Sequence, residues 1–551
     1  MFLTSVPQLY AWLTTPKGLV YMGYVVGAPD QAVHTAWMRE AQLGMVLFDD
    51  PFTTDPQRPH FFHVYYLLLG TAARVFHLPL MFVEQAGRLL SGWAFLLVVY
   101  AFAAQLTGVV SARRLALAMV ALTSGLGWLV NLPLFVGHPT SALGYWSMDW
   151  VPRKAGLVMP EAITFQSLMR FDLSAVSYLL LTLTFYLLWL AWRHGSWKLA
   201  VGAGLAVMLL GNVHSYDAIT VWGVGGLALV VRGIGQRRWP LRELALLAIV
   251  LALSALSVAY QYHVYTTSEV FRAKADTLTL SPPFVSVGGH TLTDYLGVML
   301  RYALTFGICT PLALVGVWKA ARRRDLGWLY LSTWALVPFA LVLLPFSFQR
   351  KVAEAMHVPL AMMAGLVIAE VVFGERAGRS KLSPLVRYAI LAGVFALGLP
   401  SNLAIFRHAF KVSRDYAAGR GDPAWPSFYL RVGEVQAMRW LGGHTRREEA
   451  VLCLSDTGIY IPRVAGNHTY LAHWAETIQF DAKDLQVRRF LGAVAPSMTE
   501  AEQLAFARQN QLAYFFYGPN ERAVATISPD RLPFLKLAYR NTEVSLYRFL
   551  W

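Results

Sequence analysis

Charge is scarce in this chain: only 14% of its 551 residues are Asp, Glu, Lys or Arg, 56% are apolar, and the mean hydropathy is +0.45. A soluble domain of ordinary composition carries about a quarter charged residues, so a soluble enzyme is the wrong starting point. Cysteine is nearly absent. Cys309 and Cys453 stand far apart, which excludes a disulfide framework and a cysteine-based metal cluster and leaves the redox compartment unread. Residues 403–551 contain neither a glycine-rich phosphate loop nor a nucleophile elbow, so that tail reads as an accessory region and not as a second enzyme. Charge is also unevenly spread, at about 12% of residues 1–402 and about 21% of residues 403–551. The division predicts a membrane domain over 1–402 and a water-facing domain over 403–551.

What the chain has in abundance is apolar length. A bilayer crossing needs about 20 mostly apolar residues, and such stretches fall near 85–109, 114–135, 173–192, 197–212, 217–232, 240–262, 295–318, 326–345, 357–373 and 384–402. An eleventh, near 3–26, is broken by Pro16, Lys17 and Gly18. No basic flank precedes it as one precedes a full first helix or a signal peptide, so the start reads as clipped.

The net charge of +15 would raise nucleic acid as a partner in a soluble protein. Here the cations sort by loop: Arg113 and Arg114; Arg193 and Lys198; Arg232, Arg237, Arg238 and Arg242; Lys319 and Arg322 to Arg324; Arg376, Arg379, Lys381 and Arg387. These mark the cytoplasmic side. The alternate connections, 27–83, 136–172, 263–294, 346–356 and the short turn 213–216, are richer in Trp, Tyr, Pro and His and belong outside. Topology thus accounts for much of the positive charge, no nucleic acid partner is expected, and membrane lipids are. The expected architecture is an α-helical polytopic membrane protein of about 11 transmembrane helices in a plasma membrane. The tail is expected outside, as a small α/β domain built on Val435–Leu441, Ala450–Leu454, a charged helix over Asp481–Leu491, Leu512–Tyr517 and Val544–Leu550.

In the first external loop, Asp30 opens an amphipathic helix carrying Ala32, Val33, Ala36, Trp37, Met38 and Leu43, which ends at Gly44. A second apolar helix over 61–80 is interrupted by Arg74 and His77 and reads as lying in the outer interface. With this arrangement, and with Asp30-Gln-Ala-Val-His34 through Gly44, Phe52-Thr-Thr-Asp55, Leu69-Gly70 and Arg88, the sequence resembles the glycosyltransferase C superfamily. These are integral-membrane enzymes that use polyprenyl-phosphate-linked sugars, among them the protein O-mannosyltransferases and the lipid A aminoarabinose transferases. The resemblance is strongest to an uncharacterised bacterial branch. Its members continue with a Pro160-Glu161 and Thr164-Phe165 loop, a Phe348-Gln349-Arg350 loop ending in Pro359, and an external domain reading Ile461-Pro, Gly466 and His473-Trp474-Ala475-Glu476-Thr477. The resemblance implies a luminal or periplasmic active site, an acidic base on the first external loop and an undecaprenyl-type donor. Two departures stand out: Gln31 follows Asp30 where many relatives carry a second acid, and Arg170-Phe171-Asp172 stands where a Pro-His pair is expected.

A sugar joined to a phosphate already has a leaving group, so the protein mainly deprotonates an acceptor hydroxyl and steadies the departing lipid phosphate. Asp30 is the candidate base; its plainer reading is a helix cap, for which Asp is favoured, and the two are compatible. Asp49, Asp50 and Asp55 read as turn formers. Glu161 is a candidate for substrate or metal contact, with helix-start stabilisation as its bland counterpart. His214, beside Tyr216 and Asp217 in a turn between spans, faces either water or the donor phosphate. For the phosphate itself the candidates are Arg350 and Lys351, Arg301 one turn inside a span, and Arg272 with Lys274. A guanidinium suits a phosphate, and cations gathered outside run against the positive-inside rule, which makes Arg350 the foremost; snorkelling to lipid headgroups is the alternative for each.

Around these, Glu84 and Arg88 form a helix pair or orient the first loop, and His357 reads equally as a packed histidine. Trp37, Tyr145, Trp146 and Trp150 are considered for sugar stacking. His473 and Glu476 read as structural for the tail, and the sequon at Asn467 receives no role. A single dominant acid suggests no metal, whereas Asp30 with Glu161 would hold a divalent ion, so no cofactor beyond the polyprenyl-phosphate sugar is assigned. The expected activity is hexosyl or pentosyl transfer from that donor to an external lipid, glycan or protein. Against it stand a lipid or glycan transporter, and a non-catalytic subunit that keeps the fold among membrane protein partners.

Overall fold

The structure, a computed structural model, describes all residues except 26, 129–159, 274–291, 345–348, 375–379, 381, 422–427 and 551. Among the described residues, five helical segments are long and apolar enough to cross a membrane: Leu80–Leu106, Asp172–His194, Asp217–Gln236, Leu241–Thr267 and Lys351–Phe373. A sixth follows if Pro384–Gly398 and Pro400–Ala417, bent by 44°, act as one. Trp197–Val213 and Leu326–Leu341 are apolar but shorter. Three expected stretches differ, and of 114–135 only the part within the helix Val110–Leu122 is α-helical among the described residues. Residues 3–26 form a helix over Phe2–Leu13, about 18 Å long at 1.5 Å per residue, and then a strand, β1 (Leu19–Tyr21). The break comes at Pro16-Lys17-Gly18, where Gly18 takes φ +87°. The stretch 295–318 is two helices, Leu292–Thr305 and Cys309–Arg323, parted at Gly307, whose φ is +53° and whose added Cβ would lie 3.1 Å from the Gly125 backbone.

The chain divides into two compact units. One comprises Met1–Ser5, Gly87–Tyr262 and Thr279–His408; the other comprises Val6–Ala86, His263–Leu278 and Ala409–Trp551. The first is helical. Its helices close on small residues and aromatic rings: a Cβ at Gly365 would sit 2.6 Å from the Ala116 Cα, so His357–Phe373 and Val110–Leu122 meet backbone to backbone. Trp334, almost fully buried, lies 4.6 Å from Phe185 and 6.2 Å from Phe102. His357 is fully buried with Nε2 3.2 Å from the Thr123 hydroxyl and Nδ1 3.0 Å from the Thr164 hydroxyl. Arg88, 1% exposed, donates to the Leu168 carbonyl at 2.5 Å, the Ser5 hydroxyl at 2.8 Å and the Thr4 hydroxyl at 3.2 Å.

In the second unit β1 pairs antiparallel with β2 (Tyr429–Arg431), Val20 opposite Leu430. A four-stranded sheet follows from β3 (Ala450–Leu452), β4 (Leu512–Tyr517), β5 (Leu535–Arg540) and β6 (Ser545–Phe549), in the order β3-β4-β6-β5 with β3 and β4 parallel. Alternation along β4 gives it two apolar faces. Tyr514 and Phe516 join Val435, Met438 and Leu441 of the helix Val432–His444. Phe515 joins Val487 and Phe490 of Phe480–Phe490 and Phe506 of Glu500–Gln509. Val435–Leu441 is therefore helix, β5 and Glu500–Gln509 are additional elements, and the sheet lies between helical layers.

The first-loop acids are not turn formers alone. Asp49 and Glu40 both accept from Arg447, His468 Nε2 is 3.5 Å from Asp49, and Lys483 meets Asp55 at 2.5 Å. Burial and the neighbouring Asp49 push Glu40 well above the usual carboxylate range. Asp49 is also buried, but His468 and Arg447 outweigh that and hold it at about 2.

Candidate functional site

Asp30 is the third residue of the helix Ala28–Leu43. Gly27, at φ +68°, occupies the cap position and no side chain caps the helix end, so the capping role expected for Asp30 is not the one it plays. A carboxylate in the first turn still meets the positive end of the helix dipole. Gln31 and Ala32 are buried, whereas the Asp30 side chain is 60% exposed. Gln31 turns inward, so no second acid is displayed beside Asp30. His473, 3% exposed, lies with Nε2 3.5 Å from Asp30 Oδ1. The backbone N–H of Ala475 donates to His473 Nδ1 at 3.1 Å, which leaves the ring proton on Nε2, the nitrogen facing the carboxylate. Asp30 is thus backed by a buried imidazole, on a residue that the sequence read only as structural for the tail.

The helical unit gathers a second group. Glu161 stands in the short turn Pro160–Ala162; its carbonyl accepts from Tyr178 Oη at 2.8 Å and from the Ala355 N–H at 3.1 Å. Its carboxylate is 3.4 Å from Lys351 Nζ. Arg170 is half-buried nearby, and desolvation pulls its pKa down to about 10 against the opposing pull of Glu161. Ala355 holds φ +57°, a left-handed conformation unusual for a residue with a Cβ and characteristic of over-determined functional segments. One residue earlier, Glu354 lies 2.9 Å from His214 Nδ1, and Asp217 lies 3.0 Å from the same atom. Burial opposes the imidazolium, but Glu354 and Asp217 prevail and hold His214 well above the usual histidine range. Two carboxylates on one ring make His214 a poor receptor for a phosphate, so of the expected alternatives, water or the donor phosphate, the ring takes neither and faces Glu354 and Asp217. Glu354 escaped sequence reading. Its signal was a carboxylate at the head of an apolar run, a place where ionisable groups are costly and functional.

Of the expected candidates, Glu161, His214 and Lys351 therefore sit in the helical unit, while Asp30 belongs to the other; the proposed Asp30–Glu161 metal pair draws its ligands from different units. Arg272 is exposed and donates to the Thr266 carbonyl at 2.5 Å. Arg301 lies in Leu292–Thr305 and Arg350 in the turn Gln349–Ala353; their side chains, with Lys274, Tyr145, Trp146 and Trp150, lie outside the described residues. Trp37 packs among Phe61, His63 and Tyr66, an aromatic cluster and not a bare stacking platform.

No protein-family model matches the chain, and no curated protein matches it. Solved structures do. The oligosaccharyltransferase of Archaeoglobus fulgidus in its apo form is similar with a TM-score of 0.52 at 15% identity, over 94% of this chain and 68% of that one. The same enzyme in complex with Zn and sulfate gives 0.50 at 14%, over 99% and 72%. ArnT from Cupriavidus metallidurans bound to undecaprenyl phosphate gives 0.50 at 13%, over 99% of this chain and 97% of that one. Identities this low show the fold alone: the chain shares its overall architecture with these solved structures.

Proposed function

We propose that the chain is a membrane glycosyltransferase that moves a hexose or pentose from a polyprenyl phosphate to an acceptor outside the cell, with Asp30 as general base. The acceptor oxygen attacks the anomeric carbon, its proton passes to the Asp30 carboxylate, and the bond to phosphate breaks with its electron pair on the lipid phosphate. The observation that carries this reading is the exposed Asp30 carboxylate with the buried His473 imidazole at 3.5 Å, on a fold whose solved relative binds undecaprenyl phosphate. His473, with Nε2 turned to the carboxylate, orients it, as a base requires. Lys351 and Arg350, with Arg301 and Arg272, remain the cations proposed for the phosphate, and Glu161 the group that orients Lys351.

Multi-pass insertion in the plasma membrane with the tail outside completes the proposal. The basic loops support it, and so does the pairing of β1 with β2 together with the Arg447–Asp49 and Lys483–Asp55 ion pairs, which require the first loop and the tail to share one side. The chemistry is tested with a radiolabelled undecaprenyl-phosphate sugar in membranes carrying the full chain: Asp30→Asn should lower transfer by about 10²–10⁴-fold with folding intact. Transfer within a few-fold of the parent would remove Asp30 as base. The topology is tested with an impermeant thiol reagent on intact cells, since both native cysteines are buried: a cysteine at Arg446 should react and one at Gln236 should not.

A further inference from the structure

We propose that His214, Asp217 and Glu354 form a binding site for one divalent transition-metal cation, separate from the Asp30–His473 pair. The three ligand atoms lie within 4.8 Å of one another. Metal–nitrogen and metal–oxygen bonds of about 2.0–2.2 Å set adjacent ligands at right angles about 3 Å apart. His214 Nδ1 stands 3.0 Å from Asp217 Oδ2 and 2.9 Å from Glu354 Oε2, the edges such a coordination shell has. A hydrogen-bonded reading fits less well, because the single Nδ1–H cannot align with both carboxylates.

Burial supplies the second, independent observation. Asp217 is fully buried and Glu354 is 2% exposed. Their remaining oxygens, Asp217 Oδ1 and Glu354 Oε1, have no hydrogen-bond partner among the described residues. Buried acceptors are almost always satisfied, and an ion held by both oxygens of each carboxylate satisfies these. Charge agrees: two carboxylates and an imidazolium leave an excess negative charge in a buried place, whereas a dication with a neutral imidazole leaves none. An imidazole nitrogen beside two carboxylates suits manganese or zinc better than the all-oxygen shells of calcium and magnesium. Bound there, the ion ties together the turn after Trp197–Val213, the start of Asp217–Gln236 and the segment Gln349–Ala353 with its continuation to Glu354. That segment carries Lys351 against Glu161, so the ion positions the proposed phosphate-binding cation without touching the transferred sugar.

The test uses the full chain in nanodiscs, stripped of metal with a chelator and titrated with Mn²⁺ under electron paramagnetic resonance. We expect one Mn²⁺ per chain and a thermal midpoint that rises with added ion, as binding to the native state alone requires. In Glu354→Gln and Asp217→Asn, affinity should fall by at least tenfold and the midpoint should stop responding. Asp30→Asn should bind as the parent does, which separates this site from the proposed transfer reaction. Should the variants misfold, the parent still decides: histidine nitrogen coupling in the pulsed spectrum of its bound Mn²⁺ supports the site. No stoichiometric Mn²⁺ on the parent, no nitrogen coupling, or unchanged affinity in both folded variants overturns it.

Discussion

The two units handle charge in opposite ways. In the helical unit, the paired charges among the described residues gather at a few places: Arg88 against the Thr4, Ser5 and Leu168 oxygens, Arg232 with Glu243, Glu370 between Lys319 and Arg323, and the Glu161, His214 and Glu354 group. In the other unit, ion pairs are spread along the joint between the first loop and the tail, at Arg447, His468 and Lys483, and Asp30 is the carboxylate that projects from it. An apolar surround admits charge only where every partner is supplied. A wetter one uses charge as adhesive and leaves the Asp30 carboxylate 60% exposed.

The sharpest way to separate adhesive from chemistry is to compare substitutions within the second unit. Because Gly27 holds the cap position, Asp30→Ala should cost activity as heavily as Asp30→Asn, about 10²–10⁴-fold, with the thermal midpoint of both near the parent's; a cap role would make alanine alone destabilising. Arg447→Met should do the reverse. It strands Glu40 and Asp49 beside each other without their shared cation, and such a break costs about 3–5 kcal/mol, to be read by denaturant titration of the tail's circular dichroism.

In the helical unit the matching experiment is Arg88→Lys. A lysine keeps the charge but not the fork that reaches Thr4, Ser5 and Leu168 together, and a loss of about 1–3 kcal/mol is expected; a silent substitution would mean that charge alone matters there. The smallest effect concerns pH. Glu40 is raised by burial and by Asp49, so the stability it contributes is complete below the ordinary glutamate range near 4.5 and is lost as pH rises through its raised value. The thermal midpoint of the second unit should therefore climb as pH falls from 8 toward 5, and Glu40→Gln should flatten that slope.

Local periodicity made much of the fold legible. The expected 173–192 and 217–232 became Asp172–His194 and Asp217–Gln236, and the first-loop helix ended at Gly44, in the left-handed conformation that favours glycine. Partners distant in sequence were not legible. Nothing near Asp30 announces His473, and nothing near His214 announces Glu354, because each contact is made by folding and not by spacing. The acids of the first loop illustrate the same limit: Asp49 and Asp55 have the look of turn residues, and only Arg447 and Lys483, some 400 residues on, reveal their second use.

The pairing of β1 with β2 joins residues roughly 410 positions apart. At a synthesis rate of about 5–20 residues per second, β1 waits roughly 20–80 s for its partner to leave the ribosome. Through that interval its backbone groups must be shielded by the translocation machinery or by neighbouring chain, and a ribosome that stalls before residue 429 yields a protein whose long apolar helices are made but whose first loop has nothing to close against. Quality control that senses an unpaired strand would thus report on the completeness of the tail.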